Sequence, residues 1–172
     1  MLKQIKKRSI KKLTERYLSD RDTSGRNDRV NSLGILVDES LYGDPDEFYE
    51  LGKQLGVQRK DIRMFVFSSD KHNLPTLRHD LLNVKEFSWK GEIKNQDALE
   101  FLDRPFSLLI GLYEGPHLFL DMLVSRSRSR FKVGLRGSDE RLFDLAIGLQ
   151  SWNPEAFRTE LTKYLKTLNK ID

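Results

Sequence analysis

Residues 106–124 read FSLLIGLYEGPHLFLDMLV, and this stretch decides the fold. Phe106–Leu112 is apolar at nearly every position. Neither face of an extended chain there can meet water, which is the pattern of a central strand in a parallel sheet covered on both sides. Gly115-Pro116 interrupts the run, and Pro116–Val124 resumes as an almost wholly apolar helix with proline at its start. Strand, turn and buried helix in that order are the repeating step of an α/β sandwich.

The same step recurs on either side. Asn31–Val37 (NSLGILV) is a second short apolar run, closed by Asp38 and Glu39. It leads into a helix with clear boundary signals. Asp44 can cap, Pro45 suits the first position, and Asp46 and Glu47 sit at the positive end of the dipole. Phe48, Leu51 and Leu55 face inward, and Gly56 stops the helix. Asp61–Phe67 (DIRMFVF) is another strand, ending at Ser68-Ser69-Asp70. Lys71–Asn83 is a looser crossover containing Pro75, and Val84–Trp89 (VKEFSW) alternates as an edge strand does. Asn95 caps a short helix reaching Leu102. Asn153-Pro154 opens a last one, whose Phe157, Leu161, Tyr164, Leu165 and Leu168 share a face.

Phe131–Leu135 and Leu142–Ile147 lie too close in sequence for an ordinary parallel crossover of about a dozen residues, which predicts an antiparallel hairpin. The expectation is therefore α/β: a Rossmann-like three-layer sandwich over residues 31–172, its sheet mostly parallel in the order 3-2-1-4-5, with that hairpin at one edge.

At 172 residues the chain is the length of one domain, large enough for a core without disulfides or metal. It has no cysteine, which excludes thiolate zinc sites and cysteine nucleophiles. No run is long and apolar enough to cross a membrane, and residues 1–16 lack the apolar stretch of a signal peptide, so a cytoplasmic location is expected. The sequence sets no oligomeric state.

The net charge of +4 is unevenly placed. The whole excess lies in residues 1–30, where Lys3, Lys6, Lys7, Arg8, Lys11, Lys12, Arg16, Arg21, Arg26 and Arg29 face only Glu15, Asp20, Asp22 and Asp28. The rest of the chain is slightly acidic. Leu2, Ile5, Ile10, Leu13 and Tyr17 fall in one arc at helical spacing, with most basic residues outside it: a basic amphipathic helix. Ser19–Val30 reads as a polar linker. The helix can dock on its own domain by the apolar stripe, hold nucleic-acid phosphates or an acidic protein by the basic face, or lie on a membrane surface. The last is disfavoured by the lack of Trp and Phe on the apolar side. Lys3, Lys6, Lys7, Arg8, Lys11, Lys12 and Arg16 form the candidate docking surface.

The C-terminal half resembles a small bacterial α/β family known only as a domain of unknown function. The resemblance rests on the Lys132-Val133-Gly134 strand and the Phe143-Asp144-Leu145 run, covers about residues 30–168, and implies no activity. The same stretch is loosely similar to the N-terminal half of heptosyltransferase-type glycosyltransferases, which need two such domains. Neither likeness carries a catalytic residue over.

In an open parallel sheet, ligands bind beyond the carboxyl ends of the strands where the strand order reverses. That rule gathers Asp38, Glu39 and Ser40 from one side and Tyr113, Glu114, Gly115 and His117 from the other, with Ser68, Ser69, Asp70 and His72 one strand over. Such a crevice suits a divalent cation or shared acid–base work. Equally, acids are common before turns and Gly115-Pro116 is a good helix start. Neither GxGxxG nor GxxxxGK[ST] occurs, so no nucleotide cofactor is expected. The three histidines, His72, His79 and His117, match no metal motif. Ser125–Arg130 (SRSRSR) reads either as a phosphate contact patch or as arginines complementing the negative end of a helix. The leading expectation is a non-catalytic interaction or accessory module that docks through its basic arm. The alternative is a small-ligand or metal-binding enzyme using the carboxyl-edge crevice.

Overall fold

Leu33–Asp38 (β1), Ile62–Ser68 (β2), Leu81–Asn83 (β3), Leu108–Leu112 (β4), Lys132–Leu135 (β5) and Leu145–Ile147 (β6) form one sheet in the computed structural model, which describes residues 1–69 and 80–172. The strand order is β3-β2-β1-β4-β5-β6, and every pairing between neighbours is parallel. β1 and β4 sit at the centre and are buried along almost their whole length, as their unbroken apolar runs require.

Five helices among the described residues cover the two faces. Pro45–Gln54 (α2) and Pro154–Thr167 (α5) lie on one face, where Phe48, Leu51, Phe157, Leu161 and Leu165 meet Ile35, Ile110 and Val133. Leu2–Ser19 (α1), Gln96–Asp103 (α3) and Leu118–Arg126 (α4) lie on the other, around Leu36, Phe67, Leu109 and Tyr113. The expected caps are in place: Asp44, Asn95 and Asn153 each accept a backbone N–H in the first turn, with proline next at Pro45 and Pro154.

Three local expectations are corrected. First, the predicted antiparallel hairpin is a parallel pair: Val133 lies beside Leu145 and Leu135 beside Ile147. The chain between them does not turn back at the strand end. It crosses the face of β5, where the Phe143 ring lies over Gly134 so closely that a Cβ there would stand 2.5 Å from it. A short 3-10 turn, Glu140–Leu142, completes the crossing and makes a full helix unnecessary.

Second, the third strand is Leu81–Asn83 rather than Val84–Trp89. Asn83 and Glu86 bond each other's backbone N–H in a reciprocal cap, which winds Val84–Glu86 into a 3-10 turn. Third, α4 starts at Leu118, two residues after Pro116, because His117 is its cap.

Residues 19–30 do have something to bury. Val30 joins the core, and the Arg21 side chain is only 11% exposed. The positions Asp70, His72, Pro75 and His79 lie outside the described residues.

Candidate functional site

Val37 pairs with Leu112, so Asp38 and Tyr113 leave the sheet side by side at its carboxyl edge, where the order reverses between β1 and β4. Gly115 turns the chain there with φ +68°, a conformation that favours glycine. Tyr113 is almost wholly buried, and its hydroxyl donates to Asp121 Oδ1 at 2.7 Å. Asp121 Oδ2 accepts the His117 backbone N–H at 3.2 Å, and His117 Nδ1 accepts the Leu120 N–H at 3.1 Å. Side chains one turn apart thus satisfy the orphan donors of α4 reciprocally.

Burial pushes the Tyr113 phenol well above its ordinary pKa, with the Asp121 carboxylate adding to it. Burial also lowers the His117 imidazole, against the opposing pull of Asp38 and Asp121, and raises the Asp121 carboxyl. With Nδ1 accepting, the neutral imidazole carries its proton on Nε2. Phe67 stands edge-on to the ring, 5.0 Å between centroids.

The other expected residues do not join this group. Asp38 Oδ2 accepts from the Ser40 hydroxyl at 2.7 Å, while Glu39 and Glu114 are exposed. Of the expected crevice residues, Ser40 alone lines a cavity of about 490 Å³ on the α2/α5 face, with Tyr42, Leu112, Trp152 and Phe157. Among the described residues, no three His, Asp or Glu side chains converge as a metal site.

The basic helix lies on the α3/α4 face. Ile10 is wholly buried, and Leu13, Tyr17 and Leu18 pack around it. Lys6 turns inward: its Nζ donates to Val84 O at 2.8 Å, and burial lowers its pKa. Arg141 reaches Glu15 with both terminal nitrogens at 2.8 Å and so ties the helix to the β5–β6 crossing. Lys3, Lys7, Arg8, Lys11, Lys12 and Arg16 remain exposed. Lys3, Lys7 and Lys11 form one row at four-residue spacing; Arg8, Lys12 and Arg16 form a second. Together they span about 20 Å at the helical rise of 1.5 Å per residue.

A family model described as a family of unknown function, DUF6913, matches residues 6–168. The chain belongs to DUF6913. No curated protein and no solved structure matches it, and the likeness to heptosyltransferase-type glycosyltransferases gains no support from these comparisons. The matched range of this DUF6913 chain opens within α1 and runs to the end of α5, so it takes in most of the basic helix as well as the sheet. No helix among the described residues is long and apolar enough to cross a membrane.

Sequence reasoning missed the polar centre of the DUF6913 fold, which lies at the opposite, amino edge of the sheet. Asp144, its side chain 3% exposed, precedes β6. Its carboxylate takes Arg21 in a two-pronged pair at 3.0 and 2.5 Å, Arg26 Nε at 2.9 Å, and the Lys132 backbone N–H at 2.8 Å. Lys132 itself is fully buried and donates Nζ to Val124 O near the end of α4. Desolvation lowers its pKa to about 7, with Arg21 adding to the effect and Asp144 opposing it. From the C-terminal tail, buried Lys170 donates to the Arg26 and Asp28 carbonyls, holding residues 26–28 down. One signal was visible: Lys132 and Asp144 are charges each inside an otherwise apolar β-run, where burial demands a partner, which Arg21 supplies for Asp144 and the Val124 carbonyl for Lys132.

Proposed function

We propose that this DUF6913 protein is a non-catalytic interaction module that docks on the phosphate backbone of RNA through the outward face of α1. The observation that carries the reading is the division of charge on that helix. The later part of its apolar stripe, Ile10, Leu13 and Tyr17, is committed to the domain together with Lys6, while six cations in two parallel rows stay in water. Like charges at four-residue spacing weaken a helix by a few tenths of a kcal/mol per pair, so packing holds a surface that its own charges oppose. A polyanion relieves that repulsion.

RNA is favoured over an acidic protein because the face lacks what protein interfaces use at their centres. It is lysine-rich, and only Leu2 and Ile5, in the first turns, expose apolar area on the helix beyond Met1. Phosphate binding needs no apolar anchor; it draws on counterion release. Removing residues 1–30 is a poor test, because it strips Ile10 from the core. The charges are changed instead.

Fluorescence anisotropy of a labelled, unstructured RNA against salt should give a log–log slope of about −3 to −4, close to 0.7 per cation engaged. Lys7→Gln, Lys11→Gln and Lys12→Gln together should flatten that slope by about 2 without lowering the melting temperature. RNA binding that the triple variant leaves unchanged, or capture of polyglutamate in preference to RNA, would overturn the reading.

A further inference from the structure

We propose that the cavity at the amino edge of the sheet is a binding site for a small phosphomonoester. It lies between residues 20–28 and the SRSRSR connection from α4 to β5, and has a volume of about 980 Å³, at the upper end of small-molecule sites. It does not rest on the RNA reading, since none of the six exposed α1 cations lines it.

Three donors with capacity to spare meet on its walls. Arg21 is locked by Asp144 through its two terminal nitrogens, and its Nε is the one buried side-chain nitrogen or oxygen among the described residues with no hydrogen-bond partner. A desolvated guanidinium N–H without an acceptor is costly, and an anionic oxygen is the acceptor that suits it best. Ser127 and Ser129 are buried with their hydroxyl oxygens 2.8 Å apart. Two hydroxyls hold two protons and their mutual bond uses one, so one remains to donate. Arg128 is 70% exposed and touches Asp103 only through Nε at 3.8 Å, which leaves its terminal nitrogens available.

Three acids share these walls with Arg21, Arg126, Arg128 and Arg130: Asp28 takes Arg130, Asp22 accepts the Ser24 backbone N–H at 2.9 Å, and Asp20 is exposed. A fixed guanidinium edge, a buried hydroxyl and a swinging guanidinium match the three terminal oxygens of a phosphomonoester better than the two of a carboxylate. Tyr17 on the wall offers a ring to the organic part.

The full chain is titrated with inorganic phosphate and with adenosine 5′-monophosphate, by calorimetry and by NMR of the arginine Nε–H groups. Saturable binding of both is expected, tighter for the nucleotide, with a downfield shift of the Arg21 Nε–H. Arg128→Gln, at an exposed position, and Ser127→Ala should each weaken binding about tenfold. The Lys7, Lys11, Lys12→Gln variant should bind phosphate as the native chain does, which separates this site from the RNA face. No saturable binding up to about 10 mM, where a millimolar site is nearly full, would overturn the proposal. So would binding that leaves the Arg21 resonance and the Arg128→Gln affinity unchanged.

Discussion

At the amino edge of the sheet, Arg21 and Asp144 form a nearly dry ion pair beside the buried Lys132 side chain, half-exposed Arg26 joins it from the solvent side, and residues 20–30 hang on it. At the carboxyl edge, Tyr113, His117 and Asp121 close the turn with local hydrogen bonds around one helix cap. Rules of the fold direct attention to the carboxyl edge. Yet the larger cavity and the unpartnered buried donor are at the other end. A fold rule locates where backbone dipoles converge; it says nothing of where distant side chains bury charge.

If the amino edge is held by charge, Asp144→Ala is the most damaging single change. It leaves the Arg21 guanidinium desolvated with no counter-charge, and breaking a buried pair from one side costs about 3–5 kcal/mol. Denaturant unfolding should show that loss, and trypsin should then cut at Arg26 and Arg29. A loss under about 1 kcal/mol, with residues 20–30 still protected, would place the centre among ion pairs that contribute little.

The second comparison is with pH. Lys132 has a native pKa of about 7, against about 10.4 for an unfolded lysine. Between those values the unfolded chain holds a proton that the native chain has released, so stability rises with pH through this window. The burial cost stands in full below pH 7 and is relieved above it. Denaturation midpoints should reveal a gain of about 2 kcal/mol from pH 7 to 9. Lys132→Met should flatten that rise whatever it does to stability at one pH; equal slopes in the two proteins would remove the lysine from the account.

These ionic features were the part hardest to read from sequence. β1, β4, α2 and α5 were legible because their burial is decided locally, by apolar runs and by caps a few residues away. The segment after Ser19 looked like a linker because its residues are polar, but Arg21 finds its partner at Asp144, and composition cannot show a pairing across that separation. The predicted hairpin failed for a related reason: connection length suggested a turn, while Phe143 crossing over Gly134 set the direction. At the candidate crevice, parallel registry brings the backbones of Asp38 and Tyr113 side by side, while their side chains find separate partners in Ser40 and Asp121. The Asp121 partner that makes Tyr113 and His117 a cap lies inside the helix that the sequence presents as almost wholly apolar.

The smallest expected effect tests the carboxyl edge by itself. Tyr113→Phe deletes one hydroxyl and keeps the buried ring that packs beside Phe143. Asp121 then loses one of its two donors while the His117 N–H remains, so the net cost should be near 1 kcal/mol, the ordinary worth of a single hydrogen bond. The Tyr113 bond also holds the Asp121 pKa down against burial. Its loss should raise the Asp121 carboxyl further, which side-chain NMR titration follows directly. A Tyr113→Phe penalty matching that of Asp144→Ala would mean that the carboxyl edge holds a buried charge as deeply as the amino edge does, and the contrast between the two ends of the sheet would fail.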